Sequence, residues 1–334
     1  LETGFKEISD GVFMITLPMP FRLEHVNIYA FINEGRVSLI DTGPNLPGVF
    51  AALEKSLAGM GRKISDIERI LITHFHGDHC GLAGAVHNIS GAAVHMRQIE
   101  YNRLNTESRA VLERLQSFYR EEGLPEGVFG RFSGVLRMFR EATLPFKTEK
   151  FLVPGAVEDL GGMKLEVIST PGHTVGQVVF FCRERGLLFS GDHVLPHITP
   201  NLSPDIVNPW FRPLRSFIES LDAIRGLPVS MVYPAHGRPF PGLDRRIEEI
   251  KAHHEERKGL IMDSVNTGPK SAYEVSQDLF GADLSEFDKF LALNETYVHL
   301  EQLEIDQAVQ RKPSGGVDFF SVNKKRAGKN PARH

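Results

Sequence analysis

The chain has 334 residues, 41% of them hydrophobic and 24% charged, with 38 basic against 42 acidic side chains and a net charge of −4. That length suits one large domain plus a small one, and the balance excludes a disordered chain, a collagen-like repeat, a coiled-coil rod and a globally basic nucleic-acid binder. Apolar runs such as 178–182 and 229–233 fall far short of the ~18 residues that a membrane helix needs.

Short strands are predicted first, at 11–17, 25–32 and 36–40, rich in β-branched and aromatic residues and separated by turn residues. The third runs into Asp41-Thr42-Gly43-Pro44, a turn cluster. Helical spacing follows at 49–58, then a buried strand at 67–73 and a helix at 80–87. A long amphipathic segment, about 97–147, carries Leu112, Leu115, Phe118, Tyr119, Phe129, Phe132, Leu136 and Phe139; it reads as a helical pair packing its own apolar face, or as a lid over a pocket. Strands are expected at 164–169, 177–182 and 186–190, a helix at 215–225 and a strand at 229–233. Two similar halves of this kind imply a layered α/β arrangement. From residue 245 helix formers take over, at 245–265, 271–279 and 286–303, before a hairpin at 307–311 and 316–322. Three helices and a hairpin make a winged-helix pattern. The expected organisation is a catalytic domain over 1–242, a winged-helix-like domain over 243–323 and a basic tail over 324–334.

The run Thr73-His74-Phe75-His76-Gly77-Asp78-His79 places four metal-capable side chains within six residues, just after a strand. In an extended or turning segment His74 and His76 point the same way and can bind one ion, while Asp78 and His79 can reach a second. Imidazole suits zinc, iron or manganese, and carboxylate is the natural additional ligand at a two-metal site. His173, Asp192 and His236 each follow a predicted strand and fit the same picture. A lone histidine or aspartate after a strand is usually a turn or cap residue. Four such clusters in one chain are not.

These residues, together with Asp41 in Leu39-Ile40-Asp41-Thr42-Gly43, resemble the metallo-β-lactamase-fold hydrolases over roughly residues 5–241. The resemblance implies an αββα sandwich with a metal pair at the sheet edges. It further implies that His74, His76 and His173 bind one ion, that Asp78, His79 and His236 bind the other, and that Asp192 bridges them. Asp41 then orients the ligand loop without touching metal. Ala272-Tyr273-Glu274-Val275, Leu279-Phe280-Gly281, 295–300 and the Gly315-Gly316-Val317 turn resemble the winged-helix extension of the lactamase-like protein 2 subgroup.

Two divalent ions, zinc first and iron or manganese as alternatives, can generate a bridging hydroxide near neutral pH that Asp78 and Asp192 would orient. Asp192 at the bridging position argues against antibiotic hydrolysis, because class B lactamases carry Cys or Ser there. His76 separates the chain from flavodiiron oxygen reductases, which carry Glu. The preferred substrate is a small ester or thioester, as in glyoxalase II-like chemistry. A single-strand endoribonuclease is the alternative, disfavoured because the candidate recognition helix reads Glu286, Asp288, Lys289, Glu295, Glu301, Glu304 and Asp306. A mononuclear-iron oxygenase and a non-catalytic binding protein rank below both. His193, His197 and Trp210 are weaker candidates for substrate contact, and His253, His254 and His299 receive no chemical role. Two cysteines, Cys80 and Cys182, build no disulfide framework, and the N-terminus lacks a secretory pattern, so a cytoplasmic protein is expected.

Overall fold

The computed structural model describes residues 3–20, 23–106, 108–130, 134 and 143–324. Phe132, Leu136, Phe139 and the tail from residue 325 lie outside the described residues. The chain forms two compact units, one of Leu1–Asn105, Arg137–Pro200 and Glu219–Ile247, the other of Thr106–Leu136, Asn201–Ile218 and Glu248–His334.

The first unit is built on two sheets. One has seven strands in sequential order, β1 (Gly4–Ser9), β2 (Val12–Pro18), β3 (His25–Asn33), β4 (Arg36–Ile40), β5 (Ile67–Leu71), β6 (Ala93–Met96) and β7 (Lys150–Phe151). β1 to β4 are antiparallel, and β4 to β7 pair in parallel. Parallel neighbours require crossovers. Accordingly α1 (Val49–Gly59) joins β4 to β5, and α2 (Gly77–Cys80) with α3 (Ala83–Ser90) joins β5 to β6. The second sheet orders β12 (Met231–Pro234), β11 (Leu187–Gly191), β10 (Val178–Cys182), β9 (Met163–Ser169) and β8 (Val157–Leu160). β10 lies in its middle and is buried at every position, as its unbroken apolar sequence requires.

The sheets pack face to face through Val12, Met14, Tyr29 and Phe31 of the first and Leu165, Val167, Phe180 and Phe189 of the second. Phe189 anchors this layer, its ring 4.9 Å from Tyr29, 5.3 Å from Phe31 and 5.5 Å from Tyr233. The other face of the first sheet buries Ile15, Val37, Leu39 and Ile70 against Leu53 and Leu57 of α1 and Val86 of α3. The αββα expectation is met on both sides of the first sheet.

Where one helix was expected at 80–87, two shorter helices occur, separated at Gly81 and Leu82. A side chain at Gly81 would sit 2.4 Å from the Gly77 carbonyl oxygen and 2.6 Å from the Asn45 nitrogen, so the chain turns where only glycine fits.

The second unit contains α5 (Ser108–Glu121), α8 (Ala272–Phe280), α9 (Glu286–Ile305) and the hairpin of β13 (Val309–Ser314) and β14 (Val317–Val322). α4 (Gln98–Leu104) precedes α5, while α6 (Pro213–Ile224) and α7 (Leu243–Asn266) each contribute residues to both units. Ser271 caps α8 by accepting from the Glu274 N–H while Glu274 accepts from the Ser271 N–H, a reciprocal capping box. The apolar face of α5 packs on Phe129 of the same insert, with Tyr119 6.2 Å from its ring, and on α9: Phe118 lies 4.7 Å from Tyr297, Tyr119 lies 5.4 Å from Phe290, and the Tyr119 hydroxyl donates to Asn294 Oδ1. Several acidic residues of the candidate recognition helix, α9, are engaged within this unit. Glu295 is buried, Glu301 pairs with Arg212 at 3.7 Å, and Glu304 pairs with Arg311 at 2.8 Å.

Candidate metal centre

Five strand ends of the first unit supply the chemistry. β4 delivers Asp41, β5 the loop to His79, β9 His173, β11 Asp192 and β12 His236. Backbone hydrogen bonds tie these loops together: Thr42 N–H donates to the His79 carbonyl at 2.8 Å, Val178 N–H to that of Thr73 at 3.1 Å, and Ala235 N–H to that of Gly191 at 2.9 Å. From the first sheet, Asn27 Nδ2 and the Tyr29 hydroxyl both donate to the Pro234 carbonyl.

His74, His76 and His173 converge. His76 Nδ1 lies 3.0 Å from His74 Nε2 and 2.9 Å from His173 Nε2. Three ring nitrogens meeting in this way cannot all be served by the protons of neutral imidazoles. Tetrahedral nitrogen ligands of zinc, at ~2.0–2.1 Å from the ion, lie about 3.3 Å from one another. The trio is close to that spacing. Burial holds His74 well below the ordinary imidazole value and His76 down at about 3, with the neighbouring imidazoles acting in the same direction. Neutral rings with available lone pairs are what a cation requires.

Asp78, His79 and His236 form a second group whose candidate atoms lie within 4.8 Å of one another. Asp192 stands between the groups with its oxygens divided. Oδ1 faces His79 Nε2 at 3.4 Å and His236 Nε2 at 3.5 Å, whereas Oδ2 faces His173 Nε2 at 3.4 Å. His79 Nε2, His236 Nε2 and Asp192 Oδ1 are buried without a hydrogen-bond partner among the described residues. Buried polar atoms of this kind are costly unless a ligand engages them. The residues therefore fit divalent ions. Burial opposes charge on His79, yet Asp192, Asp41 and Asp78 together hold it well above the usual imidazole range. Burial likewise opposes charge on Asp192, and His236 and His79 hold that carboxyl well below its usual range.

The groups behind these side chains fix their orientation. Asp41 Oδ2 sits 2.7 Å from His79 Nδ1, and its two oxygens accept from the Thr73 N–H and hydroxyl at 2.8 Å each. Asp41 holds a left-handed backbone, φ +60°, at the end of β4. His236 Nδ1 donates to the His25 carbonyl at 2.8 Å, which leaves Nε2 as the nitrogen facing Asp78 and Asp192.

Glu100, on α4, was not legible as part of the site. Its side chain is fully buried; Oε2 accepts from the Phe75 N–H at 2.9 Å and Oε1 from the Gly176 N–H at 2.6 Å. One carboxylate thus clamps the His74–His76 loop to the loop that follows His173. Burial pushes its carboxyl up to about 7 against the pull of those hydrogen bonds and of Arg97. No local pattern announces such a residue, because both partners are main-chain N–H groups distant in sequence. The signal available was a glutamate among apolar neighbours in a helix after β6.

The weaker candidates separate. His193 is fully buried in the first unit and His197 is exposed. Trp210 is 64% exposed in the second unit, edge-on to Phe211. Cys80 is buried and its thiol donates to the Phe75 carbonyl, and Cys182 is buried in the core between the sheets.

The sequence profile of the metallo-beta-lactamase superfamily matches residues 22–236. The chain is 27% identical to "Probable metallo-hydrolase YqjP" of Bacillus subtilis over 95% of this chain and 99% of the relative. It is 26% identical to the "Beta-lactamase-like protein 2 homolog" of Caenorhabditis elegans, over 91% of this chain and 88% of that one. Its identity with the "Atrochrysone carboxyl ACP thioesterase" of Aspergillus fumigatus is 25%, over 89% of this chain and 61% of that one. A solved structure of a metallo-beta-lactamase family protein from Thermus thermophilus superposes with a TM-score of 0.83 at 29% identity, covering 95% of this chain and all of the other. Among the described residues no helix is long and apolar enough to cross a membrane.

Proposed function

The chain belongs to the metallo-beta-lactamase superfamily and is a metal-dependent hydrolase, and we propose that it uses two divalent ions to hydrolyse a small ester or thioester. The observation that carries the two-ion reading is the division of Asp192, one oxygen toward His79 and His236, the other toward His173. His74, His76 and His173 would hold one ion, Asp78, His79 and His236 the other, with Asp192 shared. Bound ions at such a site supply a water of pKa near ~7 and positive charge against an acyl oxygen.

The chain's own groups do the rest. Asp78, with Oδ2 3.4 Å from His236 Nε2, and Asp192 offer carboxylate oxygens that would orient the attacking water. Asp41 fixes the His79 tautomer, and Glu100 fixes the spacing of two ligand loops. Neither thiol serves as nucleophile, since Cys80 and Cys182 are buried. Zinc suits the all-histidine and carboxylate donor set best, with iron or manganese as the alternatives. The thioester preference draws on the relative named as an acyl-carrier thioesterase. Buried free thiols suit a reducing compartment, and a cytoplasmic location is proposed on that ground.

The test pairs zinc content per chain with turnover of a small acyl thioester, followed by release of free thiol, and of a single-stranded RNA. About two ions at the strand-end residues, located by anomalous scattering, with thioester cleavage and intact RNA is the expected result. RNA cleavage without thioester turnover would overturn the substrate assignment, and one ion at those residues at saturation would overturn the dinuclear one. His76→Ala is expected to lower metal content and reduce turnover by at least ~100-fold. Full turnover in that variant would remove this mechanism.

A further inference from the structure

The second unit buries another group of metal-capable side chains, remote in sequence from the strand-end cluster. His254 lies on α7 and is 1% exposed, while Glu295 and His299 lie four residues apart on one face of α9, 7% and 0% exposed. His299 Nδ1 donates to the Glu295 carbonyl at 2.6 Å, so Nε2 carries the lone pair. That nitrogen faces His254 Nδ1 at 3.0 Å. The candidate atoms of all three residues lie within 4.8 Å of one another. We infer that His254, Glu295 and His299 hold a divalent transition-metal ion of the zinc type, clamping α7 to α9 inside this unit.

Two features distinguish the group from an ordinary buried hydrogen bond. His254 Nε2 and the carboxylate oxygen Glu295 Oε1 are both buried without a hydrogen-bond partner among the described residues. An ion held by His254 Nδ1 and His299 Nε2 would engage Glu295 Oε1, which a lone His–His hydrogen bond leaves unsatisfied at about 1–3 kcal/mol. The strand-end cluster shows the same combination, ring nitrogens 2.9–3.0 Å apart beside unpartnered buried imidazole and carboxylate atoms. Two histidines and a glutamate form a zinc donor set, and an imidazole whose other N–H is given to a backbone carbonyl is the usual arrangement at a metal. Burial keeps both rings neutral, at about 2 for His254 and about 3 for His299. The Phe217 ring meets His254 edge-on at 5.6 Å and makes one wall apolar. Arg257, with its guanidinium over Phe280 at 4.5 Å, acts electrostatically on Glu295 and opposes a cation. The two imidazole donors select zinc over magnesium or calcium.

The full-length protein, stripped of metal and dialysed against stoichiometric zinc, tests this. His254→Gln and Glu295→Gln are each expected to retain about one zinc ion fewer per chain than the wild type, with thioester turnover and the far-ultraviolet circular dichroism spectrum unchanged. Equal zinc content in a folded variant would overturn the site. Should both variants fail to fold, wild-type crystals grown with zinc decide. An anomalous-scattering peak between His254 and His299 supports the site, and its absence alongside peaks at His74 and His79 rejects it.

Discussion

Glu100 shows how a single side chain governs a site it never touches. Its two oxygens satisfy the Phe75 and Gly176 N–H groups, and each leads directly into a ligand loop. Glu100→Ala leaves both donors buried and unpaired, at about 1–3 kcal/mol each. The expected loss of stability is about 2–5 kcal/mol, accompanied by weaker zinc retention. Glu100→Gln is instructive because its volume is preserved: the amide oxygen can still accept from one loop, but the NH2 group opposes the N–H of the other. An intermediate loss of about 1–3 kcal/mol is expected, read by urea denaturation at a fixed zinc concentration. A variant with wild-type stability and zinc affinity would show that the two loops hold their spacing unaided. Asp41 meets the same run through His79 Nδ1; from the sequence its orienting role was an implication of the family resemblance, since a turn cluster after a strand marks only the strand's end.

At the scale of elements, the break between α2 and α3 sets where the histidine- and aspartate-rich run of 74–79 ends. Gly81 lies where an added Cβ would meet three backbone atoms, of Gly77, Asn45 and Pro44, at 2.4–2.9 Å. Backbone cannot move aside as a flexible side chain can, so Gly81→Ala is expected to cost about 3 kcal/mol or more. Gly91→Ala is the fitting contrast, since nothing lies within 4 Å of its Cβ and only the left-handed backbone at φ +72° is penalised. A thermal midpoint falling further for Gly81→Ala than for Gly91→Ala would confirm that crowding, not conformation, sets the break.

Why some elements were legible and others were not follows from the same physics. β10 is a continuous apolar run and β11 opens with Leu187-Leu188-Phe189, the composition a fully buried strand favours. β1 and β8 escaped because charge interrupts them: β1 reads Gly-Phe-Lys-Glu-Ile-Ser at a sheet edge, with three of its positions exposed. The strand-end clustering of histidine and aspartate was legible because four of these residues fall within six positions, 74–79. Glu100 and the His254–His299 pair were not, since each depends on segments that only the fold brings together.

At the scale of the whole molecule, the second unit is discontinuous in sequence, and one buried carboxyl joins its pieces. Glu122, just after α5, lies 3.7 Å from Arg311 of β13, which also pairs with Glu304 and Asp318. Burial pushes the Glu122 carboxyl up to about 8, although Arg311 pulls the other way. A carboxyl raised in the folded state is protonated there while the unfolded chain, titrating near its ordinary value of about 4.5, has released its proton. Folding therefore binds a proton throughout that window, and stability falls as pH rises from about 4.5 to about 8. The shift corresponds to at most about 5 kcal/mol, and to a few kcal/mol once screening and relaxation are allowed for. Glu122→Gln keeps the shape and removes the titration. Its urea midpoint is expected to match the wild type near pH 4.5 and to exceed it at pH 8.5. Parallel profiles for the two proteins would mean that Arg311 already stabilises an ionised Glu122, and the junction would then be an ion pair holding α5 to the hairpin at every pH in that range.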